Sequence, residues 1–435
     1  MTRWARLAAA AVLSGALMAS ALGADVPSGR PAMDSVVEPF APQAAPRDLP
    51  SNEQVQPLIA DEPGVVQARY ALEAARQRAA ALTAGPYEWT VRAWTQRRRY
   101  RNGGPDATES SAGIDRTLRI GGKAALDRQL GEASVRLAEA RLGEARHEAA
   151  RALLEAWLDW LAADRTQRLW ADQLGLAEAN FKAVEGLRRA GDASMLEQNA
   201  ARADLAEVQR QLSAAAGNKA RAAARLQARF PQLVLQPTAL GDPMPLAPGA
   251  ALWRERILAE SDPLRIAEEG LRRAELTAAR ARADRLPDPT VGVYVGSEAA
   301  GGAERIVGLT LAIPLGGTYR SAQMREALQQ VEVARAAVEV QRRQLEAEIG
   351  ENLAVVETSL KTWQSAEQAV AATRENARLA QRAYALGEAD VQSVLLARRQ
   401  SVDAALGAAQ ARTDALRARY RLLVDAHLIW GLHDE

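Results

Sequence analysis

The residues able to do chemistry are few, and most of them gather at two similar stretches of the chain. Asp192 and Glu197 lie in RAGDASMLEQNAARA, and Glu388 and Asp390 lie in ALGEADVQSVLLARR. Acids placed just after a glycine can accept backbone N–H groups as helix caps, or can present negative charge to cations. The histidines, His147, His427 and His433, show no metal-ligand spacing, and the six methionines are scattered. No metal site is expected from them. There is no phosphate-cradling loop, nucleophile triad or pair of catalytic carboxylates, so neither enzymatic activity nor a cofactor is expected. The run Arg97–Arg101 (RRRYR) reads as a solvated loop edge or an anion contact.

The composition narrows the class. Lys plus Arg number 55 and Asp plus Glu 54 in 435 residues, a balance that argues against nucleic acid as a partner. Hydrophobic residues reach 48% with only 4% aromatic, which suits closely approaching helices better than a thick core. The absence of cysteine excludes disulfides and thiolate-bound metals. Residues 1–24 read as an export signal: basic MTRWAR, apolar LAAAAVLSGALMAS, then small residues, with cleavage expected after Ala21, Gly23 or Ala24. Beyond it no uncharged apolar run approaches the ~20 residues of a membrane helix. Residues 25–60 are Pro-rich and aperiodic, and read as an extended linker.

The two tip stretches belong to a longer repetition. The segment beginning DEPGVV at Asp61 overlies SDPLRI at Ser261 with a shift of 200, so that Pro63 falls on Pro263 and Val91 on Val291. Gly121 and Gly122 fall on Gly316 and Gly317 at a shift of 195, and Gly191 falls on Gly387 at 196. The lost residues lie in a Gly-rich loop, RNGGPDATESSAG in the first copy and GSEAAGGAE in the second. The repeats are residues 61–228 and 261–435, joined by a linker at 229–260.

Each repeat must position its tip with the same elements. A helix over 64–82 or 263–285 ends at prolines. Two strands follow, clearest in the second copy, where Val291, Val293 and Val295, then Val307, Leu309, Leu311 and Ile313, alternate with period two. YEWTVRAWTQ and IDRTLRI are the more polar counterparts in the first copy. Trp89 and Trp94 there suit a membrane interface or simple packing. A proline-free helical run then covers 122–189 or 318–386, and about 65 residues at 1.5 Å each make a rod of about 100 Å. Gly191 and Gly387 end those rods, because glycine accepts the left-handed conformation there, and Ser194 and Asp390 cap the returning helices. Each repeat therefore contains a long helical hairpin.

The residues RLPDPTVGVYVG, VGLTLAIPLGGTYRSA and YALGEADVQSVLLARR, in that order, with the first-half tip RAGDASMLEQNAAR, resemble the TolC-type outer-membrane efflux family from about Asp61 to the C-terminus. The PDPTVGV…ERIVGLTLAIPLGG wording is most similar to its CzcC-like heavy-metal cation branch. The resemblance implies a mainly α chain with a small β part, trimerising into a barrel of twelve strands over a periplasmic helical tunnel. It implies an exit duct in the outer membrane that works with a periplasmic adaptor and an inner-membrane transporter. Gly191, Asp192, Ser194, Glu197, Gly387, Glu388, Asp390 and Ser393 are then tip and gate candidates. Gly121, Gly122, Pro314, Gly316 and Gly317 are then strand-to-helix junctions. Some members carry acids one and a half to two turns beyond the second tip glycine, where this chain has Ser393 and Leu396. Its own tip acids are the alternative source of negative charge. The competing expectation is a soluble periplasmic coiled-coil adaptor or scaffold, against which the doubled hairpin and four strands weigh.

Overall fold

A computed structural model of the chain describes residue 40 and residues 44–432, apart from 100, 102, 104–105, 248 and 299–303. The export signal, most of the segment 25–43 and His433 lie outside the described residues. In chain order the elements are α1 (Asn52–Ala60), α2 (Pro63–Ala84), β1 (Thr90–Arg98), β2 (Ala107–Thr117), α3 (Lys123–Ala190), α4 (Met195–Arg229), α5 (Ala250–Glu260), α6 (Asp262–Ala283), β3 (Thr290–Glu298), β4 (Glu304–Ala312), α7 (Thr318–Ala385) and α8 (Val391–Asp425). From α2 to α4 and from α6 to α8 the order helix, two strands, long helix, returning helix occurs twice.

Local sequence explains where these helices start. Glu62 accepts the Gly64 and Val65 amides at 2.7 and 3.2 Å ahead of α2, and Ser261 accepts the Leu264 amide at 3.3 Å ahead of α6. Pro63 and Pro263 fill first-turn positions where no amide donor is needed. α3 and α7 are 68 residues each, about 100 Å of helix rise. No described helix is long and apolar enough to cross a membrane.

The thickest core surrounds the middle of α3. Ala149, Leu153, Trp157 and Trp160, three or four residues apart, are buried there, and Leu154, Leu158 and Leu161 extend the apolar face. The stripe ends at Asp164, which is buried and paired with Lys219 at 2.7 Å and Arg168 at 2.8 Å.

Three expectations need correction. Residues up to 60 are not all extended, because α1 forms there with the Ser51 amide donating to Gln54 Oε1 at 3.1 Å. Just before it, buried Asp48 accepts the Tyr420 hydroxyl at 2.7 Å and the Gly241 amide at 3.0 Å, and the Asp48 carbonyl accepts Trp157 Nε1 at 2.8 Å. Those partners lie far off in sequence, so proline content alone hid the packing. The linker 229–260 likewise contains α5, which buries Trp253 and Ile257. Lastly, β2 begins at Ala107, inside the stretch read as loop. β2 is a central strand whose Glu109, Ser111 and Asp115 point to a polar face.

The four strands make one antiparallel sheet in the order β1-β2-β3-β4, so the two hairpins are joined through β2 and β3. The register places Val91, Ile114, Val293 and Leu309 in one row, with Ala93, Ala112, Val295 and Val307 in the next row of the same face. The other face carries Arg92, Asp115, Glu109 and Thr310, with Arg92 donating to Asp115 at 2.9 Å and Gln96 to Glu109 at 2.6 Å. Arg97 and Arg98 of the basic run belong to β1 itself and pair with Asp106 at 3.0 Å and Glu109 at 3.1 Å.

Close helix approach is what the small residues permit. A Cβ added to Gly131 of α3 would stand 2.9 Å from the Ala79 Cβ on α2, whereas one added to Gly217 of α4 meets nothing within 4 Å. Gly131→Ala is therefore expected to lose stability by about 1–3 kcal/mol through overpacking. Gly217→Ala should gain up to about 1 kcal/mol from helix propensity. Thermal unfolding of the two variants in detergent checks the contrast, and equal shifts would remove it.

Candidate functional site

The tips are built as the chain's glycines and caps dictate. Gly191 and Gly387 adopt φ of +89° and +77°, the left-handed region in which a side chain is disfavoured. Beyond each, the chain reaches back over five residues: the Asp192 amide donates to the Leu187 carbonyl and the Glu388 amide to the Ala383 carbonyl, both at 2.9 Å. These bonds satisfy carbonyls that the ends of α3 and α7 leave open. Ser194 then caps α4, its hydroxyl accepting the Glu197 amide at 3.1 Å while Glu197 Oε2 accepts the Ser194 amide at 2.7 Å. Asp390 caps α8, its Oδ1 accepting the Ser393 amide at 2.8 Å and the Ser393 hydroxyl at 2.6 Å. Those two bonds from Ser393 hold the Asp390 carboxyl below the usual aspartate range.

The four tip acids thus divide. Glu197 and Asp390 are engaged as caps. Asp192 and Glu388 are exposed and make no side-chain hydrogen bond or ion pair among the described residues. The structure also brings the two tips together. Val184 of α3, Ala201 of α4 and Val391 of α8 form one buried cluster, against which Phe181, Ala193 and Tyr384 pack. Burial and then the Glu197 charge raise the Tyr384 pKa. Arg398 on α8 lies 3.8 Å from Asp204 on α4. Around the tips Met195, Leu196, Leu386 and Leu396 stay exposed.

The two strand-to-helix junctions are built unequally. The first runs through Gly121 and Gly122, with φ of +67° and +76°, into α3. It closes on Lys123, whose side chain is 1% exposed and whose Nζ donates to Asp288 Oδ1 at 2.8 Å and to the Leu286 carbonyl at 2.6 Å. Asp288, just before β3, also accepts the Ile120 amide at 3.0 Å and the Tyr87 hydroxyl at 3.2 Å. Burial works against its carboxylate, but the Lys123 and Ile120 hydrogen bonds outweigh it and hold the pKa below the ordinary aspartate value. Next to it Arg119 spans the Leu82 carbonyl at 2.9 Å and Asp127 at 3.0 Å. The second junction, through Pro314, Gly316 and Gly317, is exposed, with Leu315 and Tyr319 beside it also exposed. Lys123 and Asp288 escaped the sequence reading because a single buried lysine carries no pattern; its partner is 165 residues away.

No protein-family model matches the chain, and no curated protein matches it. Solved structures do. CusC, described for conformational changes accompanying folding and transmembrane channel formation, superposes with a TM-score of 0.72 at 15% identity, over 86% of this chain and 92% of that one. The outer membrane protein VceC from Vibrio cholerae gives 0.71 at 17% identity, over 87% and 95%. The outer-membrane channel OprN gives 0.71 at 19% identity, over 87% and 90%. The chain therefore has the fold of the TolC-type outer-membrane channels.

Replacing Lys123 by Met leaves Asp288 buried without its cation, an expected loss of about 3–5 kcal/mol near neutral pH. Because the folded Asp288 pKa is depressed, its contribution is present above the unfolded value of about 3.9 and is lost as pH falls through the folded one. The wild-type advantage over Lys123→Met should accordingly shrink below about pH 4. Unfolding midpoints measured across that range in detergent check both the size and the sign.

Proposed function

We propose that the protein is a trimeric exit duct in the outer membrane, extending into the periplasm, that passively carries substrate outward for a tripartite efflux system. One observation carries this reading: the apolar face of the sheet points outward. Val307 is 80% and Leu309 84% exposed, while Arg92, Glu109, Asp115 and Thr310 lie on the opposite face. A sheet that buried its core in water would show the reverse. An outward apolar face with a polar interior is the pattern of a membrane barrel. Four strands cannot close on themselves, and an open edge cannot face lipid, so β1 and β4 call for strands from other copies. Three copies supply twelve strands. Exposed Leu315 and Tyr319 at the second junction supply apolar surface for a neighbouring copy.

The apolar residues around the tips suit docking of a periplasmic adaptor, with an inner-membrane transporter beyond it. Opening is a shift of the tip helices between two packed arrangements. Asp192, Glu388 and the capping Glu197 and Asp390, multiplied by symmetry, give the tips a negative charge that favours cations. Heavy-metal cations are the proposed cargo, on that charge and on the PDPTVGV…LAIPLGG resemblance. A soluble adaptor or scaffold is disfavoured, since it would leave the apolar face and both edges in water.

The test combines the mass of the mature protein in detergent with recordings in planar bilayers. A trimer with discrete conductance steps is expected, and its cation selectivity should fall in the double variant Asp192→Ala, Glu388→Ala. A water-soluble monomer without conductance contradicts the duct. Conductance with unchanged selectivity contradicts the tip charge alone.

A further inference from the structure

Far from the tips, the fold assembles two of the chain's three histidines. His147 lies on α3, forty-four residues or about 65 Å of helix rise before Gly191. His427 lies two residues beyond α8 and is 280 residues away in sequence, yet the ring centroids stand 5.0 Å apart at an interplanar angle of 82°. Asp262, the first residue of α6, joins them. Ligand atoms of these three residues, one from each, all lie within 4.8 Å of one another. His147 is 3% and His427 5% exposed, and Asp262 is buried as fully.

Four features separate this group from an ordinary buried ion-pair network. Neither ring nitrogen of His147 makes a hydrogen bond of acceptable geometry to a described residue, although Nε2 stands 3.3 Å from Asp425 Oδ1 and Nδ1 3.9 Å from Glu144 Oε2. His427 holds φ of +55°, a left-handed backbone outside glycine that turns its ring inward, with Nε2 3.8 Å from Asp262 Oδ2 and Nδ1 3.9 Å from Glu260 Oε2. The surrounding acids already have arginine partners: Arg151 and Asp425 at 2.8 Å, Arg265 and Asp262 at 3.4 Å, Arg256 and Glu260 at 3.1 Å.

The repeat supplies the fourth feature. Asp262 falls on Glu62 at the shift of 200, and Asp425 falls on Arg229 at the shift of 196. In the first copy that pair closes directly, Arg229 on Glu62 at 3.1 Å. In the second copy both positions are carboxylates, and histidines stand beside them. Where the first copy has an acid–base pair, the second has carboxylates and imidazoles, groups able to ligate a metal.

We propose that His147 through Nε2, His427 and Asp262 bind one divalent first-row transition ion, zinc by preference, with Glu144 accepting from the His147 Nδ1. Two imidazoles and a carboxylate suit such ions. Bonds of about 2.0–2.2 Å would bring the ligand atoms to roughly 3.4 Å from one another, a small movement from the present spacing. Carboxylates behind a ligating histidine fix its ring and strengthen it as a donor. The ion would staple the start of α6, the middle of α3 and the end of α8. It is structural, separate from any cargo, and does not rest on the channel reading.

The experiment uses the full purified chain in detergent, stripped with chelator and titrated with zinc chloride. One ion per chain is expected, with no binding in His427→Asn, whose asparagine tolerates the left-handed backbone, or in His147→Gln. Glu144→Gln should bind roughly 10–100-fold more weakly. His433→Asn should bind as wild type. X-ray absorption of the zinc-loaded wild type should show two imidazoles and oxygen, and decides the matter even where a variant fails to fold. No stoichiometric zinc in wild type, binding unchanged in both histidine variants, or a zinc shell without imidazole overturns the site.

Discussion

The backbone amides and carbonyls along the outer edges of β1 and β4 set the terms for the rest of the structure. Among the described residues no strand pairs with either edge, and on β3 and β4 the exposed face is lined by valine and leucine. A free edge in water invites pairing with another chain, and a free edge in lipid leaves hydrogen bonds unmade at several kcal/mol each. The sheet is therefore an open arc awaiting closure. Under the proposed trimer, the length of α3 and α7, the duplicated tips and the exposed second junction are parts of an object that further copies complete.

Within one chain, closure has already happened once. The joint between β2 and β3 couples the two repeats, and at its base Lys123 of the first repeat is buried on Asp288 of the second. The equivalent passage from β4 into α7 has no such partner and stays exposed, with Leu315 beside it. The first junction packs against the repeat that follows it in the chain; under the proposed trimer a neighbouring copy would take that place at the second. A buried lysine is costly unless fully partnered, so Lys123 stabilises this one arrangement of the repeats.

Much of this was legible in the sequence because it is local. Gly191, Ser194, Gly387 and Asp390 announce turn and cap by residue type, and the structure places them in those positions. The valines and leucines of β3 and β4 announce strands by period two. Periodicity alone could not say whether the apolar face of those strands turns inward or outward, since alternation is identical in both cases. The start of β2 was missed because ATESSAG has turn-like composition, and its strand conformation is imposed by partners on both sides. Asp48, Lys123 and the gathering of His147 with His427 were invisible for a common reason. Each depends on residues more than a hundred positions away.

The absence of cysteine makes the central claim directly measurable, because any introduced cysteine is unique. Nitroxide labels placed singly at Leu309 and at Thr310, neighbours on opposite faces of β4, would be compared in protein reconstituted into lipid vesicles. If the apolar face meets lipid, the label at 309 is relaxed by oxygen dissolved in the bilayer, and the label at 310 by a water-soluble nickel complex. Equal access of the nickel complex to both positions would mean that the apolar face stands in water, and the barrel would have to be abandoned.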